Sequence, residues 1–304
     1  MRKAELSLSA LVIIMVCFLG SCAVIEKGAG VLGDTGTISA RDRDAITKTS
    51  KVVRKTFADI NEEEEYYIGR AVAALILSRY PVYNNTALNQ YINYVGNGVV
   101  FYSDRPETYA GYHFLILDTE EINALAAPGG FIFITKGLLR RCKDEEMLAC
   151  ILAHEVGHVS AKHGLKSIKK SRLIDAFKIL GEEALQRYGP EELAQLTEIF
   201  EDVLGDIVEK LIERGYDRKY EYEADKLGVR FAVNTGYNPG GLADFLQTMV
   251  DDASKVSGKG WFKTHPSAED RIERVSKEIV SLKSIPPPES VRTQRYKRSI
   301  KSLK

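Results

Sequence analysis

The apolar positions of this chain fall into continuous runs, helical stripes and short β-branched blocks, and each pattern predicts a different element. Leu11–Leu19 is an uninterrupted apolar run. From Asn61 to Tyr80 apolar residues recur at helical spacing, with Ile68, Ala71, Leu75 and Ile76 on one face. Asn61 suits the cap and Glu62–Glu65 suits the positive end of that helix, so these acids read as a solvated first turn rather than a metal site. A second helix is predicted over Thr86–Val100, after Pro81 and the Asn84–Asn85 turn. Tyr112–Leu117 and Phe131–Thr135 are β-branched and aromatic blocks that predict strands, with Glu121–Ala127 between them. Gly129–Gly130 removes two side chains just before the second strand, allowing close backbone approach or a bulge. Glu145–Ala153 has few helix breakers and reads as a buried helix.

Beyond position 160 the pattern is helical. Ser167–Leu180 and Glu191–Leu211 read as long helices broken at Gly189–Pro190, the second carrying an apolar stripe that includes Leu204, Ile207 and Leu211. This insert, residues 164–216, is expected to be packed helical support, with a lid or a dimerisation surface as alternatives. A helix from near Asp217, a turn at Gly236–Gly241, a helix over Leu242–Met249, a loop over Trp261–Pro266 and a helix over Ala268–Leu282 complete the order. Trp261 suits either a cleft wall or a core plug under that loop. Pro286–Pro288 is expected to end the fold, and Val291–Lys304, with six basic residues and no acid, reads as a disordered tail or one touching anionic head groups.

The chemistry is concentrated at His154-Glu155-Val156-Gly157-His158. Histidines four apart share a helix face and can hold one divalent ion, while Glu155 can accept a proton from water there. With only five histidines in the chain, a chance match is remote. His113 lies inside a strand without a ligand's spacing and reads as a core or surface residue. A catalytic zinc takes three protein ligands. His163 is five residues past His158, about 140° round a helix, and reads as a helix-end residue. Glu221-Tyr222-Glu223-Ala224-Asp225 is the better source: Glu221 and Asp225 share a face, Glu223 points away, and Ala224 permits close helix contact. One of the two carboxylates can take the metal while the other orients an imidazole; spacing leaves open which does which.

Four stretches carry a resemblance: Asn123–Leu139, His154–His158, Glu221–Asp225 and Thr264–Ile272. Together they resemble the gluzincin metallopeptidases that include the CAAX prenyl endopeptidases, HtpX, BepA and LoiP, over roughly residues 55–283. The resemblance implies an α+β, mostly helical fold, with an HExxH zincin-type core and a small sheet beside the active-site helix. It implies His154, His158 and Glu221 as ligands of one Zn2+ per chain, Glu155 as catalytic base and Asp225 as the carboxylate behind a ligand. His265 matches a histidine that some members offer to the metal or to the oxyanion; Arg271 and Asn123 match structural positions. The usual N-A-F-A reads N-A-L-A here, a mild departure, and the helical repeats of BepA-like proteins have no counterpart. A repeat-dependent chaperone role is therefore not carried over.

The start of the chain and its charge add location and partners. Arg2 and Lys3, the apolar run and Leu19-Gly20-Ser21-Cys22 resemble a bacterial lipoprotein signal, with lipidation at Cys22. The run is shorter than the ~20 residues that a spanning helix needs. The expected organisation is a signal over 1–21, a Gly- and Ser-rich tether over 22–54, a metallopeptidase domain over 55–283 and a Pro-rich basic tail over 284–304. Basic and acidic residues balance at 42 each, which argues against a nucleic-acid surface. Cys142 and Cys150 lack C-x-x-C spacing, and Cys150 reads as core.

The expected activity is hydrolysis of unfolded or misassembled envelope proteins. His265 is expected to stabilise the oxyanion, and Phe131, Ile132, Phe133 and Ile134 to hold extended substrate by strand pairing. The expected location is the bacterial envelope, periplasm-facing and lipid-anchored, with Ala23 after the cysteine pointing to the outer membrane. Alternatives are a metal-dependent chaperone or assembly factor with gated proteolysis, in contact with envelope assembly machinery, a structural lipoprotein with a degenerate site, and a non-peptide hydrolase.

Overall fold

A computed structural model of the protein describes residues 60–167, 204–205, 207–252, 261–265 and 268–303. The expected signal, Cys22, the expected tether and most of the helices expected over Ser167–Leu180 and Glu191–Leu211 lie outside the described residues. All described residues but Ile60 belong to one unit, residues 61–169 and 201–304.

Asn61 begins helix α1 (Glu62–Arg79) through a capping box. Its side-chain oxygen accepts from the Glu64 N–H at 2.9 Å, and the Glu64 carboxylate accepts from the Asn61 N–H at 3.0 Å. The buried face differs from the expected one: Val72 and Ala73 join Ile68 and Ile76, while Leu75 is exposed. The cause is the Pro128–Gly130 turn, which packs on α1 beside Gly69 and Phe131 and selects the stripe through 65, 68, 69, 72 and 76. Glu65 falls on that stripe and is buried, so the first turn is only partly solvated. Arg105 donates to its carboxylate at 2.9 and 3.0 Å, the Gly129 N–H at 3.1 Å, and Lys162 lies 3.2 Å away. Burial opposes ionisation of Glu65, but Arg105, Gly129 and Lys162 outweigh it and hold its carboxyl below the usual value.

Helix α2 (Thr86–Phe101) is capped by Asn85 and buries Leu88, Ile92, Val95 and Val99. Three strands follow: β1 (His113–Leu117), β2 (Ala124–Ala127) and β3 (Phe131–Thr135). Their order is β1-β3-β2, with β3 parallel to β1 and antiparallel to β2. The expected pairing of substrate along Phe131, Ile132, Phe133 and Ile134 is therefore corrected. Both edges of β3 are taken by neighbouring strands, and Ile132, Phe133 and Ile134 are buried. Strand β2 escapes prediction because Ala-Leu-Ala-Ala lacks β-branched residues. Gly129 and Gly130 have φ of 74° and 98°, values that reverse the chain between β2 and β3. His113 is exposed and stacks on Phe131.

After α3 (Lys136–Arg141), Asp144 caps the central helix α4 (Glu145–Ser160), in which every residue from Glu145 to Val159 is buried. A short helix α5 (His163–Lys166) turns back from it. The chain is described again from Leu204 and leads through a π-helix at Glu209–Arg214 into α6 (Arg218–Asn234). Helices α7 (Gly240–Asp252), α8 (Trp261–Thr264) and α9 (Ala268–Val280) complete the packing around α4 and α6. The loop expected before His265 is thus partly helical, and Trp261 is fully buried against Phe245.

The fold does not stop at Pro286–Pro288. Helix α10 (Ser290–Ser299) packs on α4 and α2 and buries Tyr296, whose hydroxyl donates to the Leu139 carbonyl. The expected free basic tail is corrected here, because its arginines meet the two glutamates opening α4. Arg295 donates twice to Glu145, which also accepts from Tyr91 and Tyr237 at 2.9 Å each. Arg292 donates to Glu146 at 3.2 Å, and the Asn238 N–H donates to it at 2.8 Å. Cys142 and Cys150 are buried free thiols. Among the described residues, no helix is long and apolar enough to cross a membrane.

Candidate metal centre and active site

Helices α4 and α6 cross closely because small residues meet at the contact. Ala224 is fully buried there, as expected of it, and a Cβ on Gly228 would sit 3.0 Å from the backbone nitrogen of His154. This approach brings α4's His154, Glu155 and His158 against α6's Glu221 and Asp225, all buried. The Nε2 atoms of His154 and His158 lie 3.1 Å apart. Glu221 faces both, with Oε2 3.6 Å from His154 Nε2 and Oε1 3.4 Å from His158 Nε2. Asp225 lies on the opposite nitrogen of His154, at 2.9 Å from Nδ1. Glu221 thus joins the two inward nitrogens, and Asp225 stands behind one of them.

Arg271 ties the carboxylates together. It donates to both oxygens of Asp225 at 2.8 and 2.7 Å and lies 3.0 Å from Glu221, with no surface exposed. Asn123 has a comparable role for β2 and α8, accepting from the Ala124 N–H and the Thr264 hydroxyl at 3.0 Å each. The next residue, His265, places Nδ1 2.9 Å from Glu221 Oε2 and Nε2 3.9 Å from Glu155 Oε1. Trp261 stacks on its ring at 3.9 Å, so the tryptophan both plugs the core and backs a site residue.

These residues fit a divalent ion. One donor atom from each of His154, His158, Glu221 and His265 lies within 4.8 Å of all the others. Glu221 Oε1 and both oxygens of Glu155 are buried without a hydrogen-bond partner. Burial works to raise the Glu221 carboxyl, but His265 and Arg271 outweigh it and hold it well below the usual range. Asp225 is lowered too, with Arg271 and His154 overcoming its burial. Burial raises Glu155, which suits a group that must accept a proton. A small cavity opens beside the cluster, lined by Leu125, Glu155, Leu211, Tyr216 and His265. Among the described residues, no strand pairs with the edge of β2 away from β3, and that strand lines this cavity.

Two neighbours escaped the sequence reading. The Tyr216 ring stacks on His158 at 4.5 Å, although its place in the insert gave it no motif. His163, expected to be a helix-end residue, is fully buried and places Nδ1 2.9 Å from His158 Nδ1. Its proximity depends on the reversal at Lys162, which helical spacing does not encode. Leu211 and Tyr216 show that the described end of the insert packs over the site.

The chain is 25% identical to the Beta-barrel assembly-enhancing protease of Yersinia pestis over 238 residues, which cover 77% of this chain and 47% of that protein. It is 29% identical to the protein of that name from Escherichia coli (strain K12) over 197 residues, 63% of this chain and 39% of the relative. A third relative is Mitochondrial metalloendopeptidase OMA1 of Schizosaccharomyces pombe, 27% identical over 233 residues, with 73% and 63% covered. The chain therefore spans less than half the length of these bacterial relatives. Residues 86–279, which carry every residue of the buried cluster, match Peptidase family M48, and the chain belongs to that family.

Proposed function

We propose that the protein is a zinc metalloendopeptidase acting on extended segments of unfolded or misassembled envelope proteins. The observation that carries this reading is the convergence of two imidazoles and a carboxylate beside the unpartnered, buried Glu155. Two nitrogens and one oxygen suit zinc with an open position. When bound there, the ion supplies Lewis-acid polarisation of a carbonyl and acidification of water. Glu155 takes the proton of the attacking water and returns it to the leaving amine. His265 faces the same cavity and donates to the oxyanion. The edge of β2 that no described strand pairs with, buried in this structure beside the π-helix at Glu209–Arg214, takes over the substrate-holding role expected of Phe131–Ile134 and pairs with extended chain through main-chain hydrogen bonds. The names of the bacterial relatives support an envelope setting, and the resemblance of the first 22 residues to a lipoprotein signal supports anchoring at Cys22.

A second reading, a metal-dependent assembly factor with gated proteolysis, is favoured by one observation: His265 lies close enough to act as a fourth ligand. The experiment for the main reading is metal analysis and peptide cleavage by Glu155→Gln. The variant should bind zinc at one equivalent per chain, like the wild type, and cleave nothing; wild-type turnover would falsify the assigned base.

A further inference from the structure

The outward nitrogens of the two histidines on α4 are held in different ways. His154 Nδ1 meets Asp225 directly. His158 has no carboxylate in that place; its Nδ1 faces His163 Nδ1 at 2.9 Å, and His163 Nε2 faces Glu223 Oε2 at 3.2 Å. Only one arrangement of protons satisfies this chain while leaving His158 Nε2 a free lone pair. His158 donates from Nδ1, His163 accepts at Nδ1 and donates from Nε2, and the Glu223 carboxylate accepts.

We infer that His163 and Glu223 are positioning residues that fix the tautomer and ring orientation of His158 through a carboxylate–histidine–histidine relay. The backbone is arranged for this contact. Lys162 has φ of 55°, the sole positive φ at a non-glycine among the described residues, and that reversal returns His163 to the ring of His158. A left-handed lysine is strained, and the surroundings must hold it. Glu65 pairs with its ammonium at 3.2 Å. Tyr220 packs against His163 at 4.6 Å and Tyr216 covers His158, so neither ring has room to turn. Glu223, which the helical wheel sends away from Glu221 and Asp225, finds its partner on the far side of His158.

This inference rests on the metal centre proposed above, and zinc affinity measured by chelator competition separates the two. Wild-type protein should bind zinc, and His158→Ala should abolish that binding; failure of either overturns both the centre and the relay. Given binding, His163→Leu should weaken zinc affinity about 10- to 100-fold. His163→Gln should restore most of it, since an amide can accept from His158 and donate to Glu223. Glu223→Gln, at a half-exposed position where folding is not at risk, should cost about threefold to tenfold. Melting temperatures of the metal-free forms supply the second readout, because a merely structural role would lower these without changing affinity. Unchanged affinity in His163→Leu, or equal loss in the Gln and Leu variants, overturns the relay.

Discussion

His265 is held from three sides: Trp261 stacks on its ring, its N–H bonds the Trp261 carbonyl at 2.8 Å, and Glu221 takes Nδ1. Such restraint leaves Nε2 facing the cavity beside Glu155, and the proposed donation to an oxyanion there requires Nε2 to carry a proton in addition to the one that Nδ1 gives to Glu221. His265→Ala should therefore lower kcat and kcat/KM together, by about ten- to a thousandfold, with zinc retained. Faster cleavage of an unstructured peptide by that variant would instead show that His265 restrains the enzyme. At this scale His154, Glu155 and His158 are legible in the sequence because helical spacing converts directly into a shared face. By spacing alone Glu221 is legible only as one of two carboxylates, since a helix face does not say which ring nitrogen each will meet; the resemblance is what singles it out. His163 is illegible for a different reason: its position follows from one reversed backbone angle at Lys162.

Among the elements, α1, α2, β1 and β3 follow their sequence patterns closely, because caps and β-branched blocks are local signals. The face of α1 and the existence of β2 do not, since both are decided by a turn and a neighbouring strand distant in sequence. Helix α10 was hidden by its composition. Its basic residues look solvated until Glu145 and Glu146, fully buried or nearly so, are seen to need them. Burial opposes ionisation of Glu145, but Arg295, Tyr91 and Tyr237 outweigh it, so its carboxyl stays below the usual 4.5. A depressed carboxyl stabilises the fold above its ordinary value, and that contribution is lost as pH falls through the folded one. Arg295→Ala should lower stability at neutral pH by about 2 kcal/mol and flatten the acid limb of the profile. Urea midpoints across pH test this; a midpoint equal to wild type at neutral pH rejects the clamp.

For the whole molecule, the sheet and the two crossing helices α4 and α6 form the expected zincin-type core. The proposed attachment to a membrane rests on the resemblance of the first 22 residues to a lipoprotein signal. Mass spectrometry of membrane-extracted protein should find an acylated amino-terminal Cys22, and Cys22→Ser should block that processing. Protein still beginning at Met1 rejects the anchor. The docking of α10 also sets an order of events. Arg295 stands 150 residues after Glu145, so the ribosome has made every residue of the buried cluster before the counter-charge for α4 exists. Without Arg295, Glu145 keeps Tyr91 and Tyr237 as neutral donors but loses its counter-charge. The last long helix of the described fold thus supplies the charge against which the helix bearing His154 and His158 packs, tying the buried cluster to the far end of that fold.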